Sequence, residues 1–121
     1  MNLNHIDLPV SDIDGARAFF ETYFGFRCVF AREDGLTVLL DETNFALTLS
    51  APPLGEKLSY PTGFHVGFNL REEHELLEAY RLLSASGVEI VRPLGELGGA
   101  LTFQCNAPGV VLVELSWRPL S

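Results

Sequence analysis

The chain has 121 residues, 47% of them hydrophobic, with 16 acidic against 8 basic side chains and a net charge of −8. That length suits one domain burying roughly two-thirds of its unfolded surface. The negative charge disfavours nucleic acid and anionic membranes and favours neutral or cationic small ligands. No run approaches the roughly 20 apolar residues of a membrane span, and the N-terminal Met-Asn-Leu-Asn-His lacks the basic and apolar regions of a secretion signal. Two cysteines, Cys28 and Cys105, are too few for a disulfide framework, so a reducing, cytoplasmic setting is expected.

The first strand-like run is Asn4–Val10, followed by Ser11 as a candidate N-cap. Ile13, Ala16, Phe19, Phe20 and Tyr23 then recur at helical spacing until Gly25, which predicts a helix over about 12–23. Runs Arg27–Ala31, Leu36–Asp41 and Phe45–Ser50 read as strands, with Asp34-Gly35 turning the first into the second. Ala51–Lys57, rich in proline and glycine, reads as a linker. The order then repeats: a strand Gly63–Leu70, a helix over about 72–85 with a Leu76, Leu77, Tyr80, Leu83 stripe, and strands Val88–Arg92, Ala100–Cys105 and Val110–Trp117. Pro93-Leu94-Gly95 and Ala107-Pro108-Gly109 are expected to be the turns between those last strands.

The fold class predicted is α+β, one domain of two tandem βαβββ modules, about 1–50 and 62–118, joined by a linker at 51–61. The repeat is visible in the residues: His5 and His65 lie 60 positions apart in matching strands, and Phe20 and Tyr80 keep that offset in the helices. Alternation along a strand places every second residue on one face. The phase carrying Ile6, Leu8 and Val10, and its counterpart Val66, Phe68 and Leu70, should lie under the helices. His5, Asp7, His65 and Asn69 occupy the other face. Glu114 and Ser116 join them, because Val111, Val113, Leu115 and Trp117 form the apolar row of the last strand. Ala46 and Thr48 hold that face in the first module, with Ala46 expected to be the counterpart of Glu114. His74, between glutamates on a helix, reads as a solvated surface residue.

Paired βαβββ modules, a histidine opening each, and the run Ala107-Pro108-Gly109-Val110-Val111-Leu112-Val113-Glu114 resemble the vicinal-oxygen-chelate superfamily. That superfamily includes glyoxalases, bleomycin-resistance proteins, fosfomycin-resistance enzymes and extradiol dioxygenases. The resemblance covers essentially the whole chain and implies a cupped, barrel-like mixed sheet with the helices outside. It implies that His5, His65 and Glu114 hold one divalent ion, with iron, manganese, zinc, nickel and cobalt all compatible with two imidazoles and a carboxylate. A small oxygenated substrate would chelate that ion, in a pocket for which Asp7, Ala46, Thr48, Asn69, Phe103, Ser116 and Arg118 are the candidate lining residues. The implied assembly is a homodimer, since each module leaves strand edges to be covered.

Departures from the family pattern narrow the expected chemistry. Alanine at 46 can neither bind metal nor move a proton, which argues against a standard glyoxalase I. Fosfomycin-type chemistry needs cations around a phosphonate, and the inferred inward phases offer only Arg118. Ring cleavage calls for a proton-transfer group, for which Tyr60 is the candidate, set against a plain packing role. The reading from another class is a drug-binding or immunity protein that sequesters a small, cationic ligand in a groove of Phe30, Phe103 and Trp117.

Overall fold

A computed structural model describes residues 1–119 and divides the chain into two compact units. The first comprises Met1–Ser59 with Pro108–Val110, and the second Tyr60–Ala107 with the chain from Val111.

In the first unit, β1 (His5–Pro9) leads into α1 (Ile13–Phe24), then β2 (Arg27–Ala31), β3 (Thr37–Leu40) and β4 (Ala46–Ser50). The sheet order is β1-β4-β3-β2, with β1 parallel to β4 and the remaining pairs antiparallel. The helix is capped by Asp12, one residue later than Ser11, because the Asp12 carboxylate accepts the Gly15 N–H at 2.9 Å. Gly25, at φ 70°, ends it in the left-handed region that glycine adopts without strain. Ala16, Phe19 and Phe20 are buried, as are Leu8 and Val10 of the phase expected under the helix, together with Leu39, Leu47 and Leu49.

Pro108–Val110 belongs to this unit through contacts at the β1–α1 junction. The Ser11 N–H donates to the Gly109 carbonyl at 3.3 Å, and Gly109 sits at φ 89°. A Cβ on Gly109 would come within 2.9 Å of the Val10 Cβ and 3.2 Å of the Asp12 nitrogen. Gly109→Ala therefore combines a left-handed backbone with a steric overlap, and should cost about 2–4 kcal/mol of stability. The denaturant midpoint of the variant measures this, and an unchanged midpoint would refute the tight turn.

The second unit repeats the plan with β5 (Val66–Leu70), α2 (Glu73–Ala85), β6 (Ile90–Leu97), β7 (Ala100–Ala107) and β8 (Val111–Trp117), in the order β5-β8-β7-β6. The Glu75 carboxylate reaches back to accept the Glu72 N–H at 3.1 Å, which fixes the start of α2. Leu76 and Leu83 are buried and Tyr80 meets Phe103 edge-on, but Leu77, expected on the same stripe, is 42% exposed. Pro93-Leu94-Gly95 is not a turn. It lies inside β6, where proline is tolerated because β6 is the edge of the sheet and β-bulges interrupt its register on both sides of Arg92. The turn into β7 is Gly98-Gly99, both at positive φ. Among the described residues no helix is long and apolar enough to cross a membrane.

Candidate functional site

The second unit gathers a polar rung across its sheet. Arg92 on β6 faces Gln104 on β7, Gln104 faces Glu114 on β8, and Glu114 faces Gly67 on β5, each pair in direct register. The Glu114 Oε1 accepts from the Arg92 Nη2 at 2.7 Å and from the Gln104 Nε2 at 3.1 Å. Its Oε2 lies 3.6 Å from the His65 Nε2. Beside the rung, the Ser116 hydroxyl donates to the Thr102 Oγ1 at 3.0 Å, while the Thr102 hydroxyl itself donates to the Leu115 carbonyl at 2.9 Å. Glycine at 67 keeps the floor next to Glu114 clear. A Cβ there would make only ordinary contact, 3.4 Å from the Glu114 carbonyl oxygen, so its absence leaves room and relieves no clash.

The two histidines share one hydrogen-bonding pattern. The His65 Nδ1 lies 2.8 Å from the Gly63 carbonyl oxygen, which can only accept, so Nδ1 carries a proton and the neutral ring has its lone pair on Nε2. The His5 Nδ1 faces the Asn4 Oδ1 at 2.7 Å, which places its proton in the same way. A second-sphere oxygen on Nδ1 that leaves Nε2 free is the usual setting of a metal-binding imidazole. Two donors held at about 2.1 Å from one ion lie roughly 3.0–3.4 Å apart, close to the His65–Glu114 separation. The donor set of this pair therefore fits a divalent ion.

His5 belongs to the first unit, where Asp7 accepts from the Ser50 hydroxyl at 2.5 Å on the same sheet face. Among the described residues no group of three or more His, Cys, Asp or Glu side chains is assembled as a metal cluster. His65 and Glu114 are thus brought together within the second unit, and His5 opens β1 of the first.

Several expectations need correction. In register, His5 pairs with Ala46 and Asp7 with Thr48, whereas Gly67 pairs with Glu114. Since Asp7 is the counterpart of Gly67, the residue that matches Glu114 is Thr48, not Ala46. Arg118 donates to the Gly98 carbonyl at 2.9 Å and braces the β6–β7 turn. The cation at the carboxylate is Arg92, which strand alternation did not identify. Phe103, placed in the pocket from sequence, is fully buried beneath α2, its ring 4.9 Å from that of Tyr80. Tyr60 stacks on Phe64 at 4.7 Å with the rings 8° from parallel. Asn69 is exposed on β5 opposite Ser116, Phe30 is 51% exposed on the edge strand β2, and Trp117 is half-buried opposite Leu70. Burial pushes the Cys105 thiol up to about 11, so it is inert.

A family model described as the glyoxalase/bleomycin resistance protein/dioxygenase superfamily matches residues 2–115. The chain belongs to that superfamily. A solved structure described as a possible glyoxalase from Bacillus cereus is 34% identical, covers 95% of this chain and 97% of its own, and superposes with a TM-score of 0.83. Two more distant structures share the superfamily fold. One is a mutant of the fosfomycin resistance protein FosX from Listeria monocytogenes, complexed with Mn(II) and 1S,2S-dihydroxypropylphosphonic acid, at 22% identity, 98% and 91% coverage and a TM-score of 0.79. The other is lactoylglutathione lyase from Agrobacterium tumefaciens, at 17% identity, 96% and 92% coverage and a TM-score of 0.78. No curated protein matches the sequence. The repeated sheet order of the two units is the tandem βαβββ plan of the superfamily.

Proposed function

We propose that this superfamily member is a divalent-metal-dependent enzyme of the glyoxalase or dioxygenase type, acting on a small oxygenated substrate. The observation that carries this reading is the His65–Glu114 pair, with Nε2 and a carboxylate oxygen 3.6 Å apart and each side chain fixed by a further hydrogen bond. His65 and Glu114 would hold the ion, with His5 as the third donor. When bound, the ion supplies Lewis acidity toward two neighbouring substrate oxygens.

The chain's own residues do the rest. The Gly63 carbonyl fixes the His65 ring and its tautomer. Arg92 and Gln104 occupy Oε1 of Glu114, which leaves Oε2 toward His65. Gly67 leaves the adjacent surface open, and Asn69 and Ser116 offer polar groups along the same face. The Mn(II) complex of FosX supports a divalent ion on this fold.

A second reading, sequestration of a small cationic ligand without catalysis, draws on the net charge of −8 and on the lack of an assembled three-residue cluster among the described residues. One experiment separates the two. Protein purified without added metal is analysed for its elements and titrated with Co(II), and one equivalent per chain is expected. Iron in the isolated protein would favour oxygen chemistry, and zinc or nickel would favour Lewis-acid chemistry. No metal and no Co(II) binding would sink the enzyme reading in favour of sequestration.

A further inference from the structure

The charge around Glu114 carries more than a metal ligand needs. Arg92 lies 2.7 Å from the carboxylate through Nη2, which also approaches the Thr102 hydroxyl at 3.5 Å. Among the described residues its Nε and Nη1 groups make no hydrogen bond, although the side chain is only 30% exposed. A guanidinium has five N–H groups in a planar fork, and those left over seek an anionic acceptor. Register shifts flank Arg92 on both sides, and its side chain reaches along the rung to Glu114. Arg92 and Glu114 together are electrically neutral, within a chain of net charge −8.

Resting on the metal reading above, we infer that Arg92 is a specificity residue that selects a small chelating oxyanion as substrate. The reasoning is electrostatic. Glu114 on its own would cancel one of the ion's two charges, but Arg92 cancels Glu114, so both charges of the ion remain to be matched by what binds next. A neutral diol or ketone cannot match them, whereas a dianion with adjacent oxygens can. Such a ligand also accepts the free Arg92 N–H groups as charge-assisted hydrogen bonds. The same cation repels a divalent ion, so Arg92 weakens metal binding while strengthening anion binding. These opposite signs distinguish specificity from a merely structural role. A residue that only held Glu114 in place would support both.

The test uses Co(II) followed by visible absorption, then oxalate added to the Co(II)-loaded protein, in the wild type and in Arg92→Met. The wild type should bind oxalate, and Arg92→Met should bind it at least ~10-fold more weakly, as expected for loss of charge-assisted hydrogen bonds, with Co(II) affinity equal or higher. Unchanged oxalate affinity in Arg92→Met overturns the inference. So does parallel weakening of Co(II) and oxalate, which would make Arg92 a support for Glu114 alone. A wild type that binds no Co(II) overturns the metal reading itself and this inference with it. Should Arg92→Met fail to fold, Arg92→Lys decides: it keeps the charge but loses the fork, so oxalate should weaken several-fold with Co(II) affinity preserved. Equal oxalate affinity there counts against the inference.

Discussion

Replacing Phe103 by alanine is expected to destabilise the protein by about 3–5 kcal/mol, as for other fully buried aromatics, while leaving Co(II) affinity unchanged. The ring is fully buried and meets Tyr80 edge-on, at 71° between planes, so truncation leaves a cavity under α2 that the rigid sheet cannot close. Its neighbours on β7, Thr102 and Gln104, point the other way and carry the polar contacts to Ser116 and Glu114. Core and site therefore occupy opposite faces of one strand, and a mutation can damage one without the other. Urea unfolding and Co(II) titration of the same variant check both halves. A loss below about 1 kcal/mol would be too small for a core aromatic, and, if ligand affinity changed as well, would return Phe103 to the pocket.

Much of this architecture was legible in the letters, for reasons that can be stated. The 60-residue offset between His5 and His65 reflects duplicated strand–helix units, and alternation in β8 separates Glu114 from Val113 and Leu115 whatever the rest of the fold does. Alternation fails where a strand is irregular. Arg92 was missed because two bulges interrupt the two-residue period around it, and Pro93-Leu94-Gly95 resembles a turn only if β6 is not known to be a sheet edge. The counterpart of Glu114 was misplaced by one pleat repeat, Ala46 instead of Thr48, because the pairing of β1 with β4 is set by strand register, not by spacing along the chain. The consequence is chemical. Thr48 offers a hydroxyl where alanine offers nothing, and it lies beside Asp7 in register, so the first unit has a polar group in the slot that Glu114 fills in the second.

Glu114→Gln should lower Co(II) affinity by at least ~100-fold, beyond the usual effect of losing an outer-shell partner. Glutamine keeps the shape of the side chain, and its amide oxygen can still accept from Arg92, but the charge is gone and its NH2 group cannot bind a cation. The folded state should suffer less. The Arg92–Glu114 pair is 30% and 24% exposed, so solvent screens it, and the expected cost is about 1–2 kcal/mol, between the values for surface and buried pairs. His65→Ala provides the contrast, because its 38% exposed ring rests mainly on the Gly63 carbonyl. That variant should lose metal to a similar degree with under about 1 kcal/mol of destabilisation. The ratio of metal loss to stability loss therefore ranks the two residues by role. Both bind the ion, but only Glu114 also ties β6, β7 and β8 together across the rung. If either variant kept full Co(II) affinity, the pair would be an ordinary surface contact and the metal site would have to be sought elsewhere.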